Sequence, residues 1–159
     1  MQPQSLNLII LHNPSINKNR SLIMIQPINY DTKSLSQKAE LATKADSNVV
    51  TDLLDTLKAN SENCVGMAAN MIGVNKRIIV FSMGMMNVPM INPSIISKSQ
   101  EYTTSEGCLS LSGQRQTKRY KNITVKYLDS NFQEHTQEFS DFIAQIIQHE
   151  VDHCEGILI

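Results

Sequence analysis

A His-Glu-x-x-His pattern near the end of the chain, formed by His149, Glu150 and His153, constrains the fold more than any other feature. Four residues advance a helix by a little over one turn, so the two histidines share one face. Phe142 and Ile146 extend that face toward the start of the predicted helix, which indicates that it is buried. Burying two imidazoles and a carboxylate without a partner is costly, and a metal ion is a suitable partner.

The third ligand of such a site is expected upstream of the histidines. A catalytic metal site generally has three protein ligands and one open position, and six residues follow His153. Cys154 and Glu155 are too close along the same helix to reach the ion. The upstream candidates are Cys64, Cys108, His12, His135 and the acidic residues.

Cys108 is the best of these candidates. It lies between Ser105 and Ser110, in a stretch of small residues where the backbone can approach a ligand closely. A cysteine taken at random is usually a buried, inert thiol, and we expect Cys64 and Cys154 to be structural in this sense. The two histidines that lack a third ligand favour a metal-binding role for Cys108.

The apolar patterns predict an α+β fold in which mostly antiparallel strands pack around the C-terminal metal-binding helix. Helices are predicted from about Thr43 to Lys58 and from after Ser140 to near Gly156. A small-residue loop is predicted at 65–70, and extended segments are predicted at 77–81, 90–96, 123–128 and 133–139. The last two form a hairpin, and Pro93 marks the segment 90–96 as an edge strand.

Length and composition indicate one domain without a strongly charged surface. The chain has 159 residues and a formal net charge of −1, so no global field would attract nucleic acid or an anionic membrane. The basic side chains of Lys118, Arg119 and Lys121 are predicted to be solvated. No apolar segment reaches the roughly 18 residues that span a bilayer. Three cysteines form no disulfide framework, which favours a reducing, cytoplasmic setting.

Residues 1–22 differ in composition from the rest of the chain. They are rich in Asn, Gln, Ser and Pro, with one apolar run from Leu6 to Leu11. We expect a poorly ordered N-terminal extension, or an upstream translation product with Met24 as an alternative start. The segment lacks the positive leader and small-residue cleavage site of a secretory signal. The catalytic domain is predicted to span residues 23–159.

Three motifs resemble those of the peptide deformylase family. Residues 106–110, Glu-Gly-Cys-Leu-Ser, and 148–153, Gln-His-Glu-Val-Asp-His, resemble the second and third motifs of that family. Residues 66–69, Gly-Met-Ala-Ala, resemble the core of the first motif and are followed at the right distance by Gly73. The resemblance covers about residues 24–159. It implies the peptide deformylase fold and removal of the formyl group from the N-terminal formyl-methionine of nascent polypeptides.

The resemblance also implies roles for individual residues. Cys108, His149 and His153 would hold one divalent ion, Fe²⁺ by resemblance, with Zn²⁺, Ni²⁺ or Co²⁺ as alternatives. Glu150 would carry a proton from water to the departing amine, and the Leu109 backbone N–H would stabilise the formyl oxygen. The residues expected to contact the substrate are Val65, Gly66, Arg115 and Ile146, and Phe142 is expected to form a further wall of the pocket. Glu106 and Gln148 are expected to support the site from behind the ligands. Gln148 would orient a metal ligand or the Cys108 sulfur.

Two positions depart from the family's first motif, Gly-x-Gly-x-Ala-Ala-x-Gln. Cys64 replaces the first glycine, and Met71 replaces the glutamine. In the family that glutamine donates a hydrogen bond to the formyl oxygen, and a thioether cannot donate one. Loss of such a donor costs roughly 10²–10³ in rate. The adjacent Asn70 carries an amide and is a candidate substitute.

The implied partners are formylated peptide N-termini, with the ribosome exit region as a further candidate and no nucleic acid or membrane. Met71 leaves open a deformylase-like paralogue with weak or altered activity that binds or hydrolyses other N-acylated peptides. A metalloprotease is disfavoured because no conventional ligand follows His153. A structural zinc module is disfavoured because such sites usually have four protein ligands and only three are well placed here.

Overall fold

Five antiparallel strands form one sheet in the computed structural model, which describes residues 22–159. The strands neighbour one another in chain order. Their bounds are β1 Gly66–Ala68, β2 Ile78–Met83, β3 Met86–Cys108, β4 Leu111–Leu128 and β5 Glu134–Ser140. The helices are α1 Thr32–Leu35, α2 Ser47–Ala59 and α3 Asp141–Cys154, with 3₁₀ turns at Lys44–Asp46 and Ala69–Ile72. This is the predicted α+β arrangement.

The second strand separates the two longer helices. Its side chains alternate between the two faces of the sheet, as in any strand. Ile78 and Val80 pack in the cluster that contains the apolar stripe of α2, whereas Ile79 and Phe81 pack in the cluster that contains α3. All four are fully buried. A strand covered on both faces reads as a continuous apolar run, which is how β2 appears in the sequence.

The helix predicted from Thr43 to Lys58 is confirmed, with a different first turn. Thr43 and Asp46 form a capping box, and their reciprocal hydrogen bonds start a 3₁₀ turn before the α-helix begins at Ser47. The buried stripe of α2 includes Val50, Leu53 and Leu57.

The prediction that residues 90–96 form an edge strand is correct only in part. They belong to β3, whose pairing with β2 ends at Ile91, so Ser94 and Ile95 have a strand partner only in β4 among the described residues. The register with β4 shifts between Ile91 and Ser94, so the bulge removes Pro93 from the ladder. A proline at a bulge forfeits no hydrogen bond, and the Pro93 carbonyl accepts one from Arg77 Nε at 2.8 Å.

The loop predicted at 65–70 is also different in the structure. Gly66–Ala68 form β1 at the edge of the sheet, and the 3₁₀ turn follows directly. Small residues in a short buried strand give no alternation from which a strand could be predicted. The predicted hairpin of residues 123–128 and 133–139 is confirmed by the pairing of β4 with β5.

The C-terminal helix is buried over most of its length, whereas the sequence pattern predicted burial of one face only. Buried side chains occupy every position from Ile146 to Val151, and the helix contacts all five strands. Phe142, which was predicted on the buried face, is 60% exposed because it lies in the first turn. Ser140 is the N-cap as predicted, but its side chain makes no capping hydrogen bond.

The predicted extension, residues 1–22, lies outside the described residues apart from Leu22, and it stays a prediction. Among residues 22–159, no helix combines the length and apolar character needed to cross a membrane.

The end of α3 provides a test of its docking. Gly156 has φ +73°, and a Cβ there would collide with the backbone of Ser36 and Gln37. We expect Gly156→Ala to lower the free energy of unfolding by about 1–2 kcal/mol for the left-handed backbone and by about 1–3 kcal/mol more for the collision. Gly113→Ala is the matched control, because Gly113 has φ +78° and no atom within 4 Å of the added carbon. Equal losses in urea denaturation would contradict the close docking.

Candidate metal centre and substrate cavity

Three potential metal ligands converge where the end of β3 meets the middle of α3. One ligand atom each from Cys108, His149 and His153 lies within 4.8 Å of the others. The Cys108 sulfur is 3.3 Å from His153 Nε2, and the two ring centroids are 5.1 Å apart. Atoms at these separations can surround one ion, because zinc–sulfur and zinc–nitrogen bonds are about 2.3 Å and 2.0–2.1 Å long.

The two imidazoles differ in protonation. Burial lowers the pKa of His153 to about 3, so its ring is neutral and suited to bind a cation. Burial acts in the same direction on His149, but hydrogen bonds with Cys108 and Glu106 outweigh it and raise its pKa to about 10. A ligand must be deprotonated to bind a metal, so a divalent ion would compete with the proton on His149. The donor set fits such an ion.

A buried carboxylate orients the first histidine. Glu106 Oε2 is 2.8 Å from His149 Nδ1, an arrangement that leaves Nε2 of that ring for a metal. Arg119 donates to both oxygens of Glu106 at 2.8 Å, and Gln145 Nε2 donates to Oε1 at 3.1 Å. Burial by itself raises the pKa of Glu106, but these hydrogen bonds and the guanidinium charge lower it to about 2.

Arg119 corrects one expectation from the sequence, because it is not solvated. Its side chain is 4% exposed, and besides Glu106 it binds Asp152 Oδ2 through Nη1 at 2.6 Å. The neighbouring Lys118 is exposed and pairs with Glu101, as a surface lysine does. Arg119 can be buried because its charge is compensated by two carboxylates, Glu106 on β3 and Asp152 on α3.

Glu150 lies in the wall of a cavity of about 260 Å³ that Cys108 and His149 also line, whereas His153 is fully buried and does not line it. Burial raises the pKa of its carboxyl group to about 7. Its Oε2 has no hydrogen-bond partner among residues 22–159. On the other side, a Cβ on Gly66 would come within 2.9 Å of Oε1. A carboxyl group in this setting can gain and lose a proton near neutral pH.

The cavity brings together most of the predicted substrate contacts. Gly66 lines it from β1 and Val65 from the residue before that strand. Ile146 and Phe142 line it from α3, and Leu109 lines it from the turn after β3. Cys64 and Met71, the two departures from the first motif, line it as well.

A family model described as Polypeptide deformylase matches residues 24–159. The chain belongs to the peptide deformylase family. It is 60% identical over 136 residues to the peptide deformylase of Clostridium beijerinckii, covering 86% of this chain and 100% of that one. The peptide deformylase of Chlorobium luteolum is 39% identical over 146 residues, covering 85% and 76%.

Solved deformylase structures share the fold. A class I type b peptide deformylase from Acinetobacter baumannii, crystallised with Met-Ala-Ser, superposes with a TM-score of 0.77 at 28% identity, covering 86% of this chain and 97% of that one. The Thermotoga maritima enzyme gives 0.76 at 29% identity, covering 84% and 94%. The predicted fold and enzyme class are therefore confirmed. Like its family, the chain is a metal-dependent hydrolase that removes the formyl group from N-terminal formyl-methionine, and the comparisons favour this function over the paralogue with altered activity.

Three other predicted residues lie outside the cavity lining. Asn70 Nδ2 donates to the carbonyl oxygens of His153 at 2.9 Å and Leu35 at 3.5 Å, so its amide is not directed at a substrate. It therefore does not replace the donor that Met71 lacks. Arg115 pairs with Glu106 in the register of β3 and β4, and its Nη1 reaches the Ser112 carbonyl at 3.4 Å.

Gln148 binds the sheet and not a ligand or the Cys108 sulfur. Its Nε2 donates to the Tyr120 carbonyl at 2.9 Å, and its Oε1 accepts from the Tyr120 N–H at 2.9 Å. The pairing of β5 with β4 begins only at Asn122. The amide of Gln148 therefore takes the place of a strand partner for Tyr120.

Four residues of the polar network were not predicted from the sequence. Arg119, Asp152, Gln145 and Tyr102 lie far apart along the chain and meet only through the register of β3 with β4 and the packing of α3. Spacing offered one usable signal: Gln145, His149 and Asp152 follow i, i+4 and i+7, a polar stripe on a helix that is otherwise buried.

The two thiols of the cavity allow a test of the metal ligands. Burial raises the pKa of Cys64 to about 12, and its S–H donates to the Gly66 carbonyl at 2.9 Å, so this thiol stays protonated. We expect Cys108→Ser to lose most of the bound metal, because the thiolate is the ligand. Cys64→Ser keeps a donor for Gly66 and should retain about one ion per chain. Metal analysis of anaerobically purified protein measures both, and full metal content in Cys108→Ser would exclude the proposed ligand set.

Proposed function

We propose that this chain deformylates nascent polypeptides with Cys108, His149 and His153 as the metal ligands and Glu150 as the proton carrier. The observation that carries the proposal is the convergence of three ligand atoms within 4.8 Å beside a buried carboxyl group in a cavity. The cavity is bounded by an edge strand, where a peptide can enter.

A divalent ion held by this donor set would acidify water and polarise the formyl carbonyl. Glu150 takes the proton of the attacking water and delivers it to the departing amine. The pKa of its carboxyl group, about 7, suits both transfers near neutral pH. The Leu109 backbone N–H is proposed as the donor to the formyl oxygen, since Leu109 lines the cavity directly after Cys108.

The substrate is proposed to add to the free edge of β1. Among residues 22–159 this strand pairs with β2 on one side only, so the backbone of Gly66 and of the preceding Val65 can pair with an extended peptide. Val65, Phe142 and Ile146 then enclose the methionine side chain. The Acinetobacter relative crystallised with Met-Ala-Ser supports a short peptide of this kind as ligand. Arg115 remains a proposed contact for residues farther along the peptide.

Fe²⁺ is proposed as the native ion, in keeping with the family. A thiolate with two imidazoles also accepts Zn²⁺, Ni²⁺ and Co²⁺.

A reducing cytoplasm is the proposed location, since Cys64, Cys108 and Cys154 are all free thiols and thiols persist there. The ribosome exit region, where new N-termini emerge, is proposed as the site of action.

Formyl-Met-Ala-Ser hydrolysis by the anaerobically prepared iron form tests the function. We expect turnover by the parent chain and a loss of at least about 10²-fold in kcat for Glu150→Gln, because an amide cannot carry the proton. Metal content should be unchanged in that variant. Cleavage of unformylated peptides with no release of formate would instead support a protease.

Met71 provides a gain-of-function test. Its sulfur accepts the Ala68 N–H at 3.4 Å, so a glutamine Oε1 at this position can take the same hydrogen bond and leave its Nε2 for the formyl oxygen. We expect Met71→Gln to raise kcat by about 10-fold or more, within the roughly 10²–10³ attributed to one such donor. Met71→Leu, which adds no donor, is the control and should not be faster than the parent. If Met71→Gln is no faster either, the oxyanion argument fails.

A further inference from the structure

Gln145 is a polar side chain in the cavity wall, between Phe142 and Ile146 along the helix. Its amide is held at both ends. The Tyr102 hydroxyl donates to Oε1 at 3.1 Å, and Nε2 donates to Glu106 Oε1 at 3.1 Å. Both ends of the amide are therefore satisfied by groups that lie behind the cavity wall.

The spacing of four residues explains this bridge. Gln145 and His149 are i and i+4 on α3, so they lie on one face of the helix. Tyr102 and Glu106 are four residues apart on β3, so they lie on one face of the sheet. The two α3 residues face the two β3 residues. The Gln145 amide therefore joins the Tyr102 hydroxyl to the Glu106 carboxylate, which orients His149.

Gln145 supplies one of the four hydrogen bonds that hold the Glu106 carboxylate. Oε2 is shared by Arg119 Nη2 and His149 Nδ1, both at 2.8 Å. Oε1 is shared by Arg119 Nε at 2.8 Å and by Gln145. Without Gln145, Oε1 would keep only Arg119 Nε, and the carboxylate would lose one of the four hydrogen bonds that set its orientation toward His149.

We propose that Gln145 is a positioning residue that couples the wall of the substrate cavity to the Glu106–His149 hydrogen bond. The inference rests on the proposed function, because it takes His149 as a metal ligand and the cavity as the place of the substrate side chain. A side chain that fills the cavity contacts Gln145, and Gln145 holds the carboxylate behind it. Substrate fit and the orientation of the His149 ring are therefore linked through one amide.

Co²⁺ titration of the metal-free full-length chain, followed by visible absorption, tests the coupling without any peptide. Direct partners of a ligand contribute roughly 10–100-fold to metal affinity, and Gln145 acts one hydrogen bond farther away. We expect Gln145→Leu to weaken Co²⁺ binding by about 3–10-fold and to shift the absorption bands. Tyr102→Phe should act in the same direction by a smaller factor, with KM unchanged, since Tyr102 does not line the cavity.

Phe142→Leu is the matched control on the cavity wall. Phe142 contributes to the wall but makes no hydrogen bond to Glu106, so KM for formyl-Met-Ala-Ser should rise while the Co²⁺ affinity and spectrum stay those of the parent. If Gln145→Leu also raises KM and leaves the Co²⁺ affinity and spectrum unchanged, Gln145 only lines the cavity and the proposal is wrong.

Two further outcomes are decisive. If thermal melting shows that Gln145→Leu does not fold, Tyr102→Phe decides, because an unchanged Co²⁺ affinity and spectrum in that variant contradicts the coupling. If the parent chain releases no formate, the proposed function fails, whereas the Co²⁺ measurements still decide whether Gln145 positions the His149 ligand.

Discussion

The hydrogen bond between Glu106 and His149 joins the sheet to the helix at the point where the site is built. One partner lies two residues before Cys108 at the end of β3, and the other lies four residues before His153 on α3. This contact therefore fixes the distance between the thiol and the two imidazoles. Because Nδ1 is engaged by the carboxylate, the other ring nitrogen is the one presented to a metal.

Arg119 makes that contact tolerable inside the protein. A carboxylate buried with His149 as its only partner would be poorly compensated. Arg119 binds Glu106 through two nitrogens and Asp152 through the third. Removing one partner of such a buried set generally costs about 3–5 kcal/mol. The same guanidinium thus joins β4 to β3 and to α3, so it contributes both to the stability of the helix position and to the geometry of the proposed metal ligands.

The sequence predicted what depends on local spacing. The i, i+4 histidines, the hairpin of residues 123–128 and 133–139, and the amphipathic stripe of α2 follow from the periods of helices and strands. The partners of Arg119 and Gln145 do not, because they depend on the register of β3 with β4 over long distances in the chain. Pro93 was only partly informative for a related reason. The bulge that removes it from the ladder is a property of two strands, and one strand alone does not reveal it.

The departures from the first motif are best understood through the backbone of β1. Both Cys64 and Met71 carry sulfur, and each binds the edge strand. The Cys64 S–H donates to the Gly66 carbonyl, and the Met71 sulfur accepts the Ala68 N–H. Such bonds are weak, but they satisfy backbone groups at the two ends of a strand only three residues long. The strand edge proposed to receive the peptide is thus kept in place. In the proposed function, Met71 thus removes one charge-stabilising donor while its sulfur still binds the strand along which the peptide is proposed to lie.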